Sequence, residues 1–400
     1  MDRLANTVRP YAWGSTTAIP ELLGTPPTGG PQAELWMGAH PGAPSRVDRG
    51  DGPRPLSDVI AADPEGELGP GTVRRFGPQL PFLFKILAAG SPLSLQVHPD
   101  LDRARAGHAA EEERGIPVDA PHRNYKDAGH KPELICALTD FEGFCGFRAP
   151  AETAGLLAAL DVDPLKPYVD LLHAQPEADA LREILTAILT ADRDAMADTV
   201  ARATAAAERL AATPGTPHRE AYAAYTSLAR HFPGDPGVIA AMLLNHVRLQ
   251  PGEGLYLGAG VPHAYLGGLG VEIMANSDNV LRCGLTPKHV DVPELLRVVR
   301  FEAGAPHVLR PEADAGEEEV YETPVDEFRL SRYVRAAGAP PRPLDARTPQ
   351  ILLCVAGTAL LRGDDGTELE LGRGESAFVR AGERVELLGE ATVFRATVAA

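Results

Sequence analysis

Gln96 and His98 stand one residue apart, and both side chains are potential metal ligands. Residues i and i+2 of an extended strand project from the same face, so the Gln96 amide oxygen and the His98 imidazole can reach one ion. The pair is half of a metal site. The sequence offers Glu133 and His263 as the other half.

Lysine is the second chemical signal, because it is rare in this chain. Of 38 Lys plus Arg, only five are lysines: Lys85, Lys126, Lys131, Lys166 and Lys288. Lysine binds phosphate and its pKa is readily tuned, so we interpret most of them as functional; a solvated surface is the alternative. Lys85 also lies in an apolar strand-like run, where a lysine is costly unless its face opens on a polar cavity.

Charge and composition exclude several classes of protein. The net charge of −17 argues against a nucleic-acid or acidic-membrane partner, since both require a basic face. The sequence has no apolar run of about 20 residues, and its first residues lack an export signal. Four cysteines without a C-x-x-C pair fit reduced thiols. We therefore expect a cytoplasmic protein.

The elements that must position these residues fall into four stretches, and 400 residues predict two or three domains. Residues 1–148 have the pattern of strands and loops, with scarce helical patterning. Residues 149–246 are rich in Ala and Leu at helical spacing, over 178–189, 195–212, 219–230 and 237–246. This pattern predicts an α-helical insertion between the ligand candidates.

Strand patterning returns after the insertion. Residues 247–310 carry His263 and Arg282 and complete the first domain. An acidic, Pro-rich connector, 311–324, then leads to a last all-strand segment from 349, so we expect residues 311–400 to form a connector and a separate C-terminal module.

An internal sequence repeat supports this division. Gly252, Gly260 and His263 align without gaps onto Gly374, Gly382 and Val385, which suggests two copies of one strand–turn–strand unit. Because Val385 stands in the histidine position, the second copy is not expected to bind metal. The first copy resembles the second motif of the cupin barrels; a Gly-rich hairpin turn with an incidental histidine is the alternative.

Five ordered segments sharpen the resemblance. They are residues 11–15 (YAWGS), 34–41 (ELWMGAHP), 94–100 (SLQVHPD), 125–133 (YKDAGHKPE) and 275–288 (ANSDNVLRCGLTPK). Together they resemble the type I mannose-6-phosphate isomerases of the cupin superfamily, over roughly residues 6 to 300. The implied fold class is mainly β: a metal-binding cupin-type barrel and a C-terminal metal-free cupin-like barrel, with the inserted helical domain. Gly129 stands where the family commonly has Asn, so the loop around it is the expected point of difference.

The resemblance implies that Gln96, His98, Glu133 and His263 bind one Zn2+ per chain. Imidazole and carboxylate are good zinc donors, and an open coordination position is typical of a catalytic site. The neutral glutamine leaves a formal charge of about +1, which suits an anionic sugar phosphate. Nitrogen and oxygen donors also accept other divalent ions.

The implied activity is that of an intramolecular oxidoreductase, an aldose–ketose isomerase that interconverts mannose 6-phosphate and fructose 6-phosphate. The reaction moves a proton between C1 and C2 through a cis-enediol or enediolate. Arg282 corresponds to the family's active-site arginine and is expected to stabilise that intermediate. Lys131 and Glu272 are the two candidates for the proton carrier, and either is alternatively structural.

Phosphate and substrate contacts are expected from a further set of polar side chains: Ser94, Lys85, Lys288 and Tyr265. Two other functions remain open at this point, another metal-dependent cupin that acts on a sugar phosphate and a non-catalytic sugar-binding cupin. The expected partner is a small-molecule sugar phosphate, with no nucleic acid and no membrane, and the expected oligomeric state is a monomer.

Overall fold

The computed structural model describes residues 1–314 and 317–399. Helix and strand contribute nearly equal shares of the chain, 30% and 29%, and the sheets are antiparallel. The expectation of a mainly β protein is therefore too narrow, because helices also occur outside the insertion. None of the described helices is long and apolar enough to cross a membrane.

The chain up to Phe147 contains nine strands and five helices. The strands are β1 (Asp2–Arg3), β2 (Thr7–Arg9), β3 (Glu34–Met37), β4 (Arg46–Val47), β5 (Arg54–Pro55), β6 (Phe82–Ala89), β7 (Leu95–Val97), β8 (Glu133–Ala137) and β9 (Phe141–Phe147). The helices are α1 (Ala18–Leu23), α2 (Leu56–Ala62), α3 (Pro64–Leu68), α4 (Pro70–Phe76) and α5 (Leu101–Glu113).

The prediction of few helices in this region is wrong. Two of the helices are short and begin at Pro64 and Pro70, where proline's fixed φ and missing N–H suit a first helical turn. The longest, α5, begins after Asp100, whose side chain accepts a hydrogen bond from Arg103 N at 2.7 Å. An N-terminal proline or an N-cap aspartate therefore marks the start of α3, α4 and α5.

The helical insertion is present between β9 and the next strand. It comprises α6 (Pro150–Leu160), a 3-10 turn (Asp163–Leu165), α7 (Lys166–Ala174), α8 (Glu177–Thr190), α9 (Arg193–Ala212), α10 (Arg219–His231) and α11 (Gly237–Ala241). The helix predicted over 237–246 ends at Ala241. A strand begins at Leu244, because buried Val247 and Leu249 alternate with exposed Arg248 against the partner strand β9.

The returning chain completes the large sheet. Its elements are β10 (Leu244–Leu249), β11 (Gly254–Leu257), β12 (His263–Ala275), β13 (Leu281–Gly284), α12 (Val292–Val298) and β14 (Val308–Leu309). The long strand β12 pairs with β6 and β8 along its second half and with β7 and β9 at its start. It therefore links both halves of the eleven-stranded sheet that carries the site.

The C-terminal strands form two further sheets. They are β15 (Glu318–Tyr321), β16 (Arg329–Arg335), β17 (Arg342–Pro343), β18 (Gln350–Gly357), β19 (Ala359–Gly363), β20 (Glu368–Leu371), β21 (Ser376–Val379), β22 (Val385–Leu388) and β23 (Ala391–Thr397). The six-stranded sheet has the order β1-β21-β18-β23-β16-β15, and the four-stranded sheet the order β17-β22-β19-β20. The predicted all-strand segment is present.

The C-terminal segment packs against the large sheet. Phe84 and Val271 of the large sheet lie in one buried hydrophobic cluster with Ile351 and Phe394 of the six-stranded sheet. The N-terminal strand β1 also pairs with β21. The predicted C-terminal module therefore shares a hydrophobic core with the rest of the chain, because the apolar faces of both sheets cover each other.

The internal sequence repeat corresponds to two equivalent strand–turn–strand units. In the first, β11 and β12 flank Gly260 at φ 76°; in the second, β21 and β22 flank Gly382 at φ 81°. Positive φ at both turns explains why glycine recurs there. His263 begins β12 as Val385 begins β22.

Candidate active site

Three neighbouring strands bring the predicted metal ligands together. Gln96 in β7 pairs with His263 at the start of β12 and, on its other side, with Arg282 in β13. His98 follows β7 directly, and Glu133 opens β8, which pairs with the same long strand β12. Residues far apart in sequence thus meet at one place because β12 is their common neighbour.

His98, Glu133 and His263 form a buried cluster. One donor atom from each lies within 4.8 Å of the others. Glu133 Oε2 is 3.3 Å from His98 Nε2 and 3.4 Å from His263 Nε2. Each of the three side chains is almost completely buried.

Hydrogen bonds on the opposite ring nitrogens orient both imidazoles. His98 Nδ1 lies 2.8 Å from the carbonyl oxygen of Asn279, and His263 Nδ1 lies 2.9 Å from that of Val261. A carbonyl oxygen accepts a hydrogen bond, so each Nδ1 carries the hydrogen, and Nε2 of each ring is the nitrogen left to bind a metal.

Nε2 of both histidines and Oε2 of Glu133 are buried and have no hydrogen-bond partner among the described residues. Nitrogen and oxygen atoms that converge in this way without hydrogen-bond partners can bind a divalent cation.

The electrostatics of the cluster also suit a metal. Burial lowers the pKa of His98 to about 4, which keeps the imidazole neutral at pH 7. Burial opposes ionisation of Glu133, but the charge of Lys131 and the two histidines outweigh it and hold the pKa of Glu133 well below its ordinary value. Lys131 Nζ lies 2.7 Å from Glu133 Oε1. The cluster thus combines one carboxylate and the neutral imidazole of His98 with the imidazole of His263.

A cavity of about 720 Å³ opens next to the cluster. Both Gln96 and Glu133 line it, so the metal cluster is continuous with a space large enough for a small molecule. Its wall also contains every other side chain that the sequence nominated for catalysis or substrate binding: Arg282, Lys131, Glu272, Ser94, Lys85, Lys288 and Tyr265. The structure therefore brings the predicted set together.

A buried polar network crosses one wall of the cavity on strands β3, β6 and β12. Lys85 Nζ donates to Glu272 Oε2 at 2.7 Å and to Glu34 Oε1 at 3.3 Å. Trp36 Nε1 donates to Glu34 Oε2 at 2.7 Å, and the Tyr265 hydroxyl donates to Glu272 Oε1 at 2.9 Å. The network carries two carboxylates and one ammonium.

This network changes the interpretation of Lys85. Burial works against its charge, but Glu272 and Glu34 raise the pKa of Lys85 above its ordinary value. Its ammonium is already held by two carboxylates, so a phosphate would have to displace them. The expectation of Lys85 as a phosphate donor therefore disagrees with its contacts, and a structural role fits them better.

The pKa values of two further members of the network, Glu272 and Tyr265, are also perturbed. Burial raises the pKa of Glu272, against the opposing attraction of Lys85. Burial raises the pKa of Tyr265 well above its ordinary value, and the charge of Glu272 adds to this effect. Tyr265 thus remains a neutral hydrogen-bond donor, and Glu272 is more basic than an ordinary carboxylate.

Three cations line another part of the cavity wall. Burial lowers the pKa of Lys288, and the nearby charges of Arg282 and Lys126 lower it further. Burial also lowers the pKa of Arg282, although a guanidinium still stays protonated at neutral pH. Mutual repulsion of this kind marks a place where an anion would be stabilised.

The helical insertion completes this part of the cavity. His231 and Phe232, at the end of α10, line the cavity. Asp235 accepts hydrogen bonds from Leu285 N at 2.9 Å and Thr286 N at 3.1 Å. The insertion thereby fixes the loop that carries Lys288.

Glu34, Trp36 and Lys126 line the cavity but were not among the predicted site residues. Lys126 had a signal, because it is one of the five lysines and lies in a family-like segment. Glu34 and Trp36 also lie in such a segment, but their proximity to Lys85 follows only from the β3–β6 register, in which Trp36 pairs with Lys85.

Comparison with known proteins identifies the family of this chain. Residues 1–150 match the family described as phosphomannose isomerase type I, catalytic domain. Mannose-6-phosphate isomerase of Escherichia coli K12 is 42% identical over 387 residues, which cover 96% of this chain and 95% of that protein. The chain belongs to the mannose-6-phosphate isomerase family.

More distant relatives extend the family to eukaryotes. Mannose-6-phosphate isomerase 1 of Arabidopsis thaliana is 32% identical, covering 89% of this chain and 82% of that protein. A crystal structure described as mannose 6-phosphate isomerase, holo and zinc bound, superposes with a TM-score of 0.90 at 38% identity and covers 100% of this chain and 99% of that one. The membership inferred from five short segments is thus confirmed over the whole chain.

Proposed function

We propose that the protein catalyses the reversible isomerisation of mannose 6-phosphate and fructose 6-phosphate. Family membership supports this activity, and so does one structural observation: unsatisfied donors of His98, Glu133 and His263 adjoin a cavity whose wall also carries Lys126, Arg282 and Lys288. A metal centre beside a cationic wall suits a sugar phosphate. The reaction oxidises one sugar carbon and reduces its neighbour, which makes it an intramolecular oxidoreduction.

Zinc is the proposed cofactor, held by His98, Glu133, His263 and Gln96. Solved relatives of this family have zinc bound. A bound zinc ion acts as a Lewis acid that polarises the sugar oxygens. Gln96 lines the cavity next to the cluster, and its neutral amide adds no negative charge to a site that must accept an anion.

Glu272 is our preferred proton carrier. Its carboxylate lines the cavity, and its pKa is raised by burial, which moves it towards the range that suits a general base at neutral pH. Lys85 and Tyr265 hold its two oxygens and so fix its orientation. Lys131 is the alternative carrier, although its contact with Glu133 favours a role beside the metal.

Arg282 is proposed to stabilise the enediolate. It lies in β13 opposite the ligand strand β7 and lines the cavity, and a guanidinium can donate to developing negative charge while it stays protonated. For the phosphate group we propose Lys288, Lys126 and Ser94. All three line the cavity, and no carboxylate hydrogen bond occupies Lys126 or Lys288 in the described structure.

For the architecture we propose two cupin-type units and an inserted helical domain. The paired units around Gly260 and Gly382 support this description. We keep the division into 1–148, 149–246, 247–310 and 311–400, which agrees with the element order to within a few residues at the α11–β10 junction. The metal ligands occur in the first and third of these parts.

A cytoplasmic monomer remains our proposal for location and assembly. All four cysteines are free and buried, as expected for reduced thiols. The proposed partner is the sugar phosphate alone, without nucleic acid or membrane. Light scattering of the purified protein measures the mass, and a dimer would contradict this part of the proposal.

The decisive experiment is a coupled isomerase assay on mannose 6-phosphate, glucose 6-phosphate and free mannose, with and without a chelator. We expect turnover of mannose 6-phosphate only, lost with the metal and restored by zinc. Turnover of another sugar phosphate alone would favour a different metal-dependent cupin. Binding without turnover would favour a sugar-binding protein.

A further inference from the structure

Two loops that meet beside the metal cluster form what we call the clasp: residues 126–129 and 276–279. Asn279, which is fully buried, connects them. Its Oδ1 accepts hydrogen bonds from Lys126 N at 2.7 Å and Asp127 N at 3.3 Å. Its Nδ2 donates to the carbonyl oxygens of Asp127 and Gly129, both at 2.8 Å. One amide side chain thus satisfies four backbone groups of the opposite loop.

Ser277 and Asp127 reinforce the clasp. The Ser277 hydroxyl donates to Asp127 Oδ1 at 2.8 Å, and Asp127 Oδ2 accepts from Asp278 N at 2.8 Å. Gly129 N also donates to Asp127 Oδ1 at 2.8 Å. A Cβ at Gly129 would lie only 3.0 Å from Asp127 Oδ1. The loop is therefore held without a side chain at position 129.

The clasp is linked directly to the metal cluster. The carbonyl oxygen of Asn279 is the group that accepts from His98 Nδ1 at 2.8 Å. The loop that Asn279 grips runs on to Lys131 and Glu133, and its own segment runs on to Arg282. One buried residue therefore lies between a histidine ligand, the loop of the carboxylate ligand and the strand of the arginine.

We propose that Asn279 is a positioning residue of the metal centre. Its side chain fixes the distance between the two loops, and this fixes the carbonyl that orients the His98 ring. The inference rests on the proposed metal site, but it assigns a role to a residue that touches neither the metal nor the cavity.

The size of the effect follows from the number of groups involved. Asn279→Ala keeps the backbone carbonyl but removes the hydrogen-bond partner of the amide hydrogens of Lys126 and Asp127 and of the Asp127 carbonyl, while Gly129 O keeps only the Ser277 hydroxyl at 3.1 Å. Buried groups without partners are costly, so the loops must separate or admit water. Loss of an outer partner of a metal-binding histidine typically lowers metal affinity or activity by about 10- to 100-fold.

The experiment measures zinc release to a chelator from the purified, zinc-loaded protein. Asn276→Ala is the matched control, because it removes the same side chain from the same loop. The Asn276 amide does not bind the opposite loop of the clasp: its Nδ2 donates to Leu80 O at 2.6 Å. We expect Asn279→Ala to release zinc about 10- to 100-fold faster than the wild type, and Asn276→Ala to match the wild type.

Cobalt replacement distinguishes positioning of the ligands from a general loss of stability. The visible bands of bound Co2+ report ligand geometry; we expect them to shift in Asn279→Ala and not in Asn276→Ala. Equal release rates and identical cobalt spectra for the two variants would overturn the proposal. Failure of the wild type to bind any divalent ion would instead refute the metal site itself.

A milder variant covers the case in which Asn279→Ala does not fold. Ser277→Ala removes the hydrogen bonds that the hydroxyl donates to Asp127 Oδ1 and Gly129 O and the one that it accepts from Asn279 N at 3.2 Å, but it keeps the Asn279 side chain. We expect zinc release from Ser277→Ala to be faster than from Asn276→Ala. Equal rates for these two variants would overturn the proposal as well.

Discussion

Lys85→Met tests the interpretation of the buried network most directly. The substitution keeps a long apolar stem and removes the one ammonium that lies between Glu34 and Glu272. All three side chains are at least 92% buried. After the change, two carboxylates remain in the same buried network without a counter-ion.

The expected loss of folding stability is large because only one partner of the buried ion pair is removed. Removing one partner of a buried ion pair typically destabilises a protein by about 3–5 kcal/mol. Part of this cost depends on pH. Burial raises the pKa of Glu272 and Lys85 opposes the rise, so the pKa of Glu272 rises further in the variant. The charges of Glu133 and Glu34 also raise the pKa of Glu272.

The sign follows from linkage. An acid whose pKa is higher in the folded than in the unfolded protein binds protons more tightly in the folded state, so stability falls as pH rises through that interval. Lys85→Met should therefore lose the most free energy of unfolding near pH 8 and less near pH 5. The difference between the two pH values is about 1.4 kcal/mol for each further unit by which the pKa of Glu272 rises.

Urea unfolding of the metal-stripped proteins at both pH values measures this deficit without a contribution from zinc. Glu34→Gln adds a second test, because its effect on stability should have opposite signs in the wild type and in Lys85→Met. In the wild type it removes a partner of Lys85 and destabilises; in Lys85→Met it removes an unpaired carboxylate and stabilises. A loss below about 1 kcal/mol for Lys85→Met, the range of an exposed pair, would refute the reasoning. So would further destabilisation by Glu34→Gln in that background.

The remaining predictions concern the metal, the arginine and the insertion. His263→Ala removes a zinc ligand, so metal analysis should fall from about one ion per chain to none and isomerase activity should disappear; an active, metal-free variant would contradict the site. Arg282→Ala should lower kcat by about 10²–10³-fold while zinc stays bound; unchanged turnover would remove Arg282 from catalysis. Asp235→Ala frees the loop that carries Lys288 and should raise KM for mannose 6-phosphate with little change in zinc content, whereas Asp170→Ala, at an exposed position of α7, serves as its control. Equal KM values for these two variants would show that the insertion does not support the phosphate site.

The candidate metal ligands could be nominated from the sequence because short-range geometry and chemistry carry the signal. Gln96 and His98 are adjacent on one strand face, and His263 follows a turn whose glycines have a backbone reason to recur. Glu133 could be nominated as a carboxylate at the start of an apolar strand. Their meeting depends on the pairings of β12, which the sequence does not encode locally, so it had to come from the resemblance and then from the structure.

The role of Lys85 could not be predicted, although its oddity was visible. A lysine inside an apolar strand indicates a polar cavity or a partner, and the sequence cannot distinguish the two. The answer lies in Glu34, 51 residues earlier, and Glu272, 187 residues later. Such contacts depend on strand register, and a shift of one residue would turn every side chain to the other face.

The two strand–turn–strand units show why the chemistry occurs in only one of them. Val385 takes the position of His263, but it is buried in a hydrophobic cluster with Leu361 and Leu387 instead of beside a carboxylate. The turn glycines are retained because their backbone conformation is required in both units. A metal centre needs the cross-strand partners as well as the turn, and only the first unit lies next to β7 and β8. The pair Gln96 and His98 is therefore what makes the first turn chemically different from the second.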